Sequence, residues 1–476
     1  MRATPLYREL KIKLREEIEN GVYGLDGRLP TEHELCERFE LSRTPVTRAL
    51  AELAEEGVIV RHRRRGTFVN PGFAPSVRQR RTEAPDPEPT LRILRADGTW
   101  VGAMRAAAGD AITLDVIRPP LRALHDTFLS AIAAGQGPDI AVLDSVWIAE
   151  FARSGFLTPL NELDPEWVEG EHDADFLPTF AKAYRFGDAV VAVQGPSDVA
   201  GLWYRRDALQ RAGMSAPGTW SDLHELGRRL AAARPPGRHV MAMPGGRRAA
   251  ETTTYALTAF LASNGASVLT EEGVVLDSPA AVETMRFLRR LIDDGILLPE
   301  VTGYGSDDAV QLLAEGRADL FVGASDLAGW AGDSLDHIAE EFGFAPMPRG
   351  PHGRAAVLCG GMAYAVPRQA RHPQLAMRLL RAALTREELV RGCLETGQLP
   401  PRMSAMAEIA TASQFHAETG RRLEHAVMRP SSPVYALVSA RLQAMCEDVL
   451  SRRRAPEDAV ARAADMISAI TGLDIA

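Results

Sequence analysis

The chain has 476 residues, of which 46% are hydrophobic and 25% are charged, proportions typical of soluble globular proteins rather than disordered ones. One hydrophobic core does not extend over this length, so we expect two to four domains. No apolar run reaches the ~20 residues that a membrane span requires, and the charged N-terminus lacks the apolar segment of a secretion signal. The sequence therefore predicts a cytoplasmic protein that does not enter a membrane.

Charge is distributed unevenly along the chain. Residues 1–81 contain 16 lysines and arginines against 12 aspartates and glutamates, a net charge of +4, which leaves −13 for the remainder. A basic segment joined to an acidic body is typical of a protein whose first part contacts phosphate groups. The four cysteines lie far apart without a CxxC pair, so we expect neither a disulfide nor a metal site.

The first 72 residues predict three helices followed by a hairpin. Apolar residues at helical spacing indicate a helix over 5–20, and a capping box of Thr31 and Glu34 begins a second one. A third helix follows Ser42. Residues 58–60 and 67–69 predict two short strands joined by a strongly basic turn.

The segments LPTEHEL (29–35), SRTPVTRAL (42–50) and GTFV (66–69) resemble the GntR family of bacterial regulators in order and spacing. This resemblance implies an N-terminal winged helix-turn-helix domain (α+β) over 1–72 that binds a double-stranded DNA operator. It places the following residues against DNA: His33, Ser42, Arg43, Thr44, Thr47, Arg48, Arg63, Arg64, Arg65 and Gly66.

Two residues depart from the GntR pattern. Thr47 stands directly after Val46, where relatives often carry arginine, and Arg64 stands where the wing usually has glycine. We therefore expect a different sequence preference, with more of the affinity coming from phosphate contacts.

A proline-rich segment follows the basic hairpin. Residues 70–90 contain five prolines and few large apolar side chains, which is typical of a semi-extended linker. We place the linker at 73–90 and a large second domain at 91–476.

Strand and helix patterns alternate beyond the linker, which predicts an α/β architecture with mainly parallel sheets and room for two lobes. The predicted strands are 91–94, 112–117, 140–143, 190–193 and 199–204. The predicted helices are 121–134, 220–232, 252–263, 279–294, 307–315, 373–382, 385–394 and 433–450.

The segments PDIAVLDSVW (138–147), GLWYRRD (201–207), LASNG (261–265), CGG (359–361) and TGQLPPR (396–402) are similar, in this order, to bacterial extracellular solute-binding proteins of the sugar-binding type. The resemblance implies a two-lobed α/β periplasmic-binding-protein-like (type II) domain that closes over a small molecule, expected to be a sugar or oligosaccharide. Sugar sites combine polar side chains with flat aromatic rings. By motif position the ligand-binding candidates are Asp144, Ser145, Trp147, Tyr204, Tyr255, Asp326, Trp330 and Arg402.

Together the two resemblances predict a multidomain transcriptional regulator, expected to be a homodimer without a cofactor or enzymatic activity, whose operator binding responds to a carbohydrate. One alternative is a GntR-type regulator fused to an aminotransferase-like domain, which would use pyridoxal phosphate. Such a domain needs a Schiff-base lysine, and the only lysine outside the first 72 residues is Lys182, so this alternative is disfavoured. A second alternative is a regulator whose large domain no longer binds ligand.

Overall fold

The computed structural model describes residues 6–19, 29–39, 41, 43–62, 66–70, 89–94, 98–119, 121–270, 272–326, 340–353, 357–423 and 426–476. The chain separates into two compact units, Met1–Pro87 and Glu88–Ala476. None of the described helices is both long and apolar enough to cross a membrane.

The first unit is a three-helix module with a β-hairpin. Its elements are α1 (Leu6–Glu19), α2 (Glu32–Phe39), α3 (Arg43–Glu55), β1 (Ile59–His62) and β2 (Gly66–Val69). The two strands pair antiparallel, and the apolar faces of the three helices meet in one core. The predicted capping box forms: the Thr31 N–H donates to Glu34 Oε2 at 2.7 Å, and the Glu34 N–H donates to Thr31 Oγ1 at 3.3 Å. The winged helix-turn-helix prediction is confirmed.

The second unit is an α/β structure. Its strands are β3 (Thr90–Leu94), β4 (Thr113–Ile117), β5 (Ile140–Asp144), β6 (Arg185–Phe186), β7 (Ala189–Val190), β8 (Val193–Arg205), β9 (His239–Ala242), β10 (Ala318–Ala324), β11 (Phe342–Pro346), β12 (Val357–Ala365) and β13 (Ala426–Met428). Its helices are α4 (Gly98–Ala108), α5 (Leu121–Ala133), α6 (Ile148–Arg153), α7 (Leu160–Leu163), α8 (Pro165–Trp167), α9 (Asp173–Asp175), α10 (Pro178–Ala183), α11 (Arg206–Ala212), α12 (Trp220–Ala232), α13 (Glu251–Ser263), α14 (Pro279–Asp293), α15 (Asp308–Ala314), α16 (Pro373–Ala383), α17 (Arg386–Thr396), α18 (Met403–Ala412), α19 (Gln414–Leu423), α20 (Tyr435–Leu450) and α21 (Pro456–Thr471).

A mixed sheet runs through the whole second unit in the order β4-β3-β5-β12-β8-β10-β9, with β11 also on β8 and β13 on β12. The long strand β8 pairs with β12 through its first half and with β10 and β11 through its second half. All three of these pairings are antiparallel, as is that of β12 with β5. The expectation of mainly parallel sheets is therefore wrong for the centre of the sheet, although β3 pairs parallel with both β4 and β5.

Separate hydrophobic cores define two lobes at the two ends of this sheet. The first lobe packs β3, β5, α4 and α16 around residues such as Trp100 and Leu380. The second lobe packs α12, α13, α14, α20 and α21 around residues such as Phe260 and Leu442. The two-lobed prediction is confirmed. Strand β8 passes from the first lobe to the second, so its backbone joins them covalently. Its hydrogen bonds to β12 in one half and to β10 and β11 in the other attach it to both lobes.

Most predicted elements agree with the structure within a few residues. The strands predicted at 190–193 and 199–204 differ, because β8 continues through Pro196. The next residue, Ser197, exchanges backbone hydrogen bonds with Leu399 at 2.8 and 2.7 Å, and this pairing holds the segment extended. Helices α4, α6 to α11, α18, α19 and α21 and strands β6 and β9 to β13 are additions that the sequence patterns did not predict.

Candidate ligand cleft and DNA-binding surface

Helix α3 presents a polar face opposite its buried residues. Val46, Leu50 and Leu53 are buried at helical spacing, which leaves Thr44 and Arg48 exposed on the other side. The guanidinium of Arg48 lies 3.8 Å from the centre of the Tyr7 ring and pairs with Glu52 at 3.3 Å.

Thr47 connects α3 to the first turn of α2. It is half-buried, and its hydroxyl donates to Glu32 Oε2 at 3.2 Å. His33, the next residue of α2, is exposed, as is Gly66 at the beginning of β2. Four predicted DNA contacts lie outside the described residues, and of Arg43 only the backbone is described. The four are Ser42, Arg63, Arg64 and Arg65.

A cavity of about 230 Å³ lies between the two lobes of the second unit. The first lobe and β12 contribute Asp144, Gly361 and Met362. The second lobe contributes polar side chains and two aromatic rings, Tyr255 and Phe321. The complete lining is Asp144, Asp198, Pro244, Glu251, Thr252, Tyr255, Ser306, Val310, Phe321, Val322, Gly323, Ala324, Asp326, Gly361, Met362, Gln398 and Arg429.

Local structure explains how two of the lining carboxylates are positioned. Asp144 ends the buried strand β5 and caps the following turn, because its Oδ1 accepts from the Val146 N–H at 3.4 Å. Glu251 begins α13, and Tyr255 follows one turn later on the same face of that helix. The end of a strand in one lobe therefore faces the beginning of a helix in the other.

Arg429 bridges the two lobes through these carboxylates. Its side chain is only 4% exposed. Nη2 donates to Asp144 Oδ1 at 2.7 Å, and Nη1 donates to Glu251 Oε1 at 2.5 Å. Burial alone would lower the pKa of Arg429, but Asp144, Tyr435 and Glu251 raise it well above its ordinary value. The guanidinium therefore stays charged, and its Nε donates to no partner among the described residues.

Two further carboxylate interactions complete the polar network. Glu251 accepts from the Tyr435 hydroxyl at 2.5 Å and from the Ser439 hydroxyl at 2.7 Å. Asp198, in the middle of β8, accepts a hydrogen bond from the Tyr255 hydroxyl. Burial raises the pKa of both Asp198 and Glu251, while the nearby Arg429 opposes the rise.

The Gly360-Gly361 pair allows the close packing of this network. A Cβ at Gly360 would lie 2.9 Å from the Tyr255 ring and 3.2 Å from Asp198 Oδ1. Gly361 has a φ of +124°, and a Cβ there would lie 2.7 Å from the Pro196 carbonyl oxygen. Close approach to neighbouring protein atoms is therefore sufficient to explain both glycines.

The structure brings three of the predicted ligand residues, Asp144, Tyr255 and Asp326, to the cavity. Ser145 lies beside it, 3.4 Å from Asp144 Oδ1. Trp330 lies outside the described residues.

Three other predicted ligand residues lie among protein neighbours and not in the cavity lining. Trp147 packs in the core of the first lobe, with its ring centre 5.2 Å from that of His125. The ring of Tyr204 lies against the backbone of Gly343. Arg402 pairs with Asp175 at 2.7 Å and with Glu171 at 3.1 Å.

Sequence reasoning missed Asp198, Glu251 and Arg429. Glu251 stands four residues before Tyr255, and this helical spacing could have suggested it. Asp198 and Arg429 belong to none of the motifs that pointed to the cleft. Only the packing of β8 and of the segment after β13 brings them there.

A winged-helix unit followed by a two-lobed solute-binding fold defines the class of this protein. Residues 105–389 match the family described as bacterial extracellular solute-binding protein, and residues 6–69 match the bacterial regulatory proteins of the gntR family. The chain belongs to the solute-binding family over most of its length and carries a GntR-type N-terminal unit. Neither family is a family of enzymes.

Individual relatives cover one unit or the other. The uncharacterized HTH-type transcriptional regulator YurK of Bacillus subtilis (strain 168) is 45% identical over 67 residues, 14% of this chain and 28% of YurK. A binding protein of Brucella abortus (strain 2308) is 24% identical over 249 residues, 52% of this chain, and this chain spans 58% of its length. Among solved structures, maltose-bound MalE3 from T. maritima has 26% sequence identity to this chain and a TM-score of 0.71. The match covers 80% of this chain and 99% of the MalE3 chain.

Proposed function

We propose that this protein is a cytoplasmic, homodimeric transcriptional regulator whose operator binding is controlled by a carbohydrate in the cleft of its second unit. The observation that carries the proposal is the cavity between the lobes, where carboxylates, a guanidinium and aromatic rings meet. This combination suits the hydroxyl groups and apolar ring faces of sugars. Maltose in the similar MalE3 structure supports the same ligand class.

The polar cleft favours a working sensor over a large domain that has lost its ligand. Asp144 and Asp198 line the cavity, and the Oδ2 atom of each accepts no hydrogen bond from the described residues. The buried Arg429 Nε also lacks a partner in that part of the chain. A buried donor such as Arg429 Nε is costly unless a ligand or water satisfies it.

DNA binding is tested by selecting genomic fragments with the purified full-length chain and measuring their affinity by fluorescence anisotropy. We expect an inverted repeat with half-sites about 34–36 Å apart, if both recognition helices enter one face of the duplex. Arg48→Ala should weaken binding by about tenfold and reduce its salt dependence, if Arg48 contacts phosphate. Arg317→Ala, an exposed arginine of the second unit, is the matched control. Equal affinities for the two variants would contradict the assignment of α3.

Ligand control is tested by adding mono-, di- and trisaccharides, maltose included, and following both thermal unfolding and operator affinity. A ligand that binds the folded protein raises the unfolding temperature. Control of transcription further requires that the same sugar changes operator affinity, because a coupling free energy must link the two sites. Failure of every sugar to change either quantity would overturn the sensor proposal.

A further inference from the structure

We propose that the cleft selects an amine-bearing carbohydrate, in which a ligand ammonium group lies against Asp198 and Asp144. This inference rests on the proposed function, since it assumes that the cleft binds a carbohydrate. Beyond the proposed function, the inference specifies that the ligand carries a positive charge.

The charges on the cleft wall do not balance. Four carboxylates line the cavity, against a single guanidinium among the described lining residues, that of Arg429. The four belong to Asp144, Asp198, Glu251 and Asp326. Both Nη groups of Arg429 are committed, one to Asp144 and one to Glu251. Asp198 therefore has no ion-pair partner in the described part of the chain, and its hydrogen-bond donor is the neutral hydroxyl of Tyr255.

A carboxylate buried in this way needs either a proton or a cation. Asp198 is only 9% exposed, and burying a charge without a counter-charge is strongly unfavourable. Burial raises the pKa of Asp198, and the rise persists although the Tyr255 hydrogen bond and the nearby Arg429 oppose it; Asp144 adds to it. An ammonium group from the ligand would supply the missing positive charge.

Free acceptor atoms are available for such a group. Asp144 and Asp198 both line the cavity, and each uses only Oδ1 in hydrogen bonds with described residues. The two Oδ2 atoms are therefore available as acceptors. Hydrogen bonds from an ammonium to carboxylates are charge-assisted and stronger than those from a sugar hydroxyl.

The rest of the lining favours a carbohydrate over a simple alkylamine. Arg429 Nε lacks an acceptor among the described residues, and a ligand hydroxyl oxygen would provide one. Tyr255 and Phe321 line the cavity, and aromatic side chains pack against the apolar faces of sugar rings. A cavity of about 230 Å³ also favours a compact ligand.

The test is calorimetric titration of the full-length protein with matched sugars at about pH 6.5, where the amine is protonated. Each set contains the amino sugar, its N-acetyl derivative and the parent sugar: glucosamine, N-acetylglucosamine and glucose, with the corresponding galacto and manno sets. At least one amino sugar should bind about tenfold or more tightly than both neutral members of its set. The parent sugar replaces the ammonium group with a hydroxyl of similar size, and acetylation removes the charge while adding a small group.

The variant Asp198→Asn keeps an acceptor for the Tyr255 hydroxyl and removes one negative charge. It should reduce the preference for the amino sugar, measured as the ratio of its affinity to that of the neutral members of its set, by about tenfold. Glu315→Gln, an exposed carboxylate of the second lobe, is the control and should leave the preference unchanged. If the variant does not fold, the comparison of charged and neutral sugars on the unmodified protein still tests the inference.

The possible outcomes distinguish failure of this inference from failure of the proposed carbohydrate-sensor function. Neutral sugars that bind as tightly as their amino counterparts, or more tightly, would overturn the inference and leave the carbohydrate sensor intact. If no saccharide of any charge binds, both are overturned.

Discussion

At the scale of single residues, Arg429 is the buried charge that links the two lobes across the cleft. It bonds to Asp144 in one lobe and to Glu251 in the other from a nearly fully buried position. Removing one partner from a buried ionic network leaves the remaining charges unpaired, which costs more than the pair itself contributes.

Arg429→Met should therefore destabilise the second unit by about 3–5 kcal/mol. All six tryptophans lie beyond residue 99, so tryptophan fluorescence during urea unfolding reports on this unit alone. Arg317→Met removes an exposed ion pair with Glu315 and should cost less than about 1 kcal/mol. A loss of stability for Arg429→Met no larger than that of the control would contradict the bridging role.

Glu447 on α20 is a second residue whose charge state depends on its neighbours. Burial would raise its pKa, but hydrogen bonds from Arg247 and Arg453 lower it from 4.5 to about 2. A carboxyl whose pKa is lower in the folded state stabilises the fold above its unfolded pKa. That contribution is lost as the pH falls from about 4.5 to about 2.

Glu447→Gln should therefore reduce stability at pH 7 by about 1 kcal/mol, since Arg247 and Arg453 are half exposed and solvent screens their charges. At pH 3 the difference from the unmodified protein should shrink. Urea unfolding at pH 7, 5 and 3 measures this trend. A difference that stays constant or grows toward acid pH would contradict the assignment.

At the scale of elements, the pairing of strands β12 and β8 connects the two lobes. The register of these strands shifts between Gly361 and Ala363. At that shift the backbone of Gly361 has a positive φ and approaches the Pro196 carbonyl closely. A side chain at this position would both strain the backbone and separate the strands.

Gly361→Ala should accordingly destabilise the second unit by about 1–3 kcal/mol. Gly303 is the matched control, because a Cβ there would meet no atom within 4 Å, so Gly303→Ala should be close to neutral. Tryptophan fluorescence during urea unfolding again provides the measurement. Equal stability of the two variants would show that β12 relaxes around the added methyl group.

At the scale of the whole molecule, the chain divides into two compact units, to which the proposed function assigns DNA binding and ligand binding. The first unit has its own helical core, and the second has separate cores in its two lobes. The residues of the cleft all belong to the second unit. Under the proposed function, ligand binding depends on the second unit, whereas ligand control of DNA binding requires both.

A fragment that spans Glu88–Ala476 should therefore fold and bind the same ligand as the full chain, with an affinity within about twofold because no cleft residue is removed. Calorimetric titration of the fragment and of the full chain makes the comparison. The fragment should not bind the selected operator. A fragment that folds but binds ligand more than tenfold more weakly would show that the first unit contributes to the cleft.

The sequence by itself determined the first unit and the class of the second. Apolar residues at helical spacing, the Thr31 and Glu34 capping box, and the alternation of strands and helices act over short stretches of chain, so they are readable from sequence. Motif positions also named Asp144, at the end of β5, and Tyr255, in the second turn of α13, which the structure places in the cavity lining. These features depend on local geometry.

Only the tertiary structure decided which of these side chains face the cleft. Trp147 and Arg402 belong to motifs of the resemblance, yet packing and ion pairs engage them within the first lobe. Asp198, Glu251 and Arg429 come from distant parts of the chain and meet through the crossing of β8 and the segment after β13. Their burial and pairing are properties of the assembled lobes, since charge compensation depends on distances in space rather than along the chain.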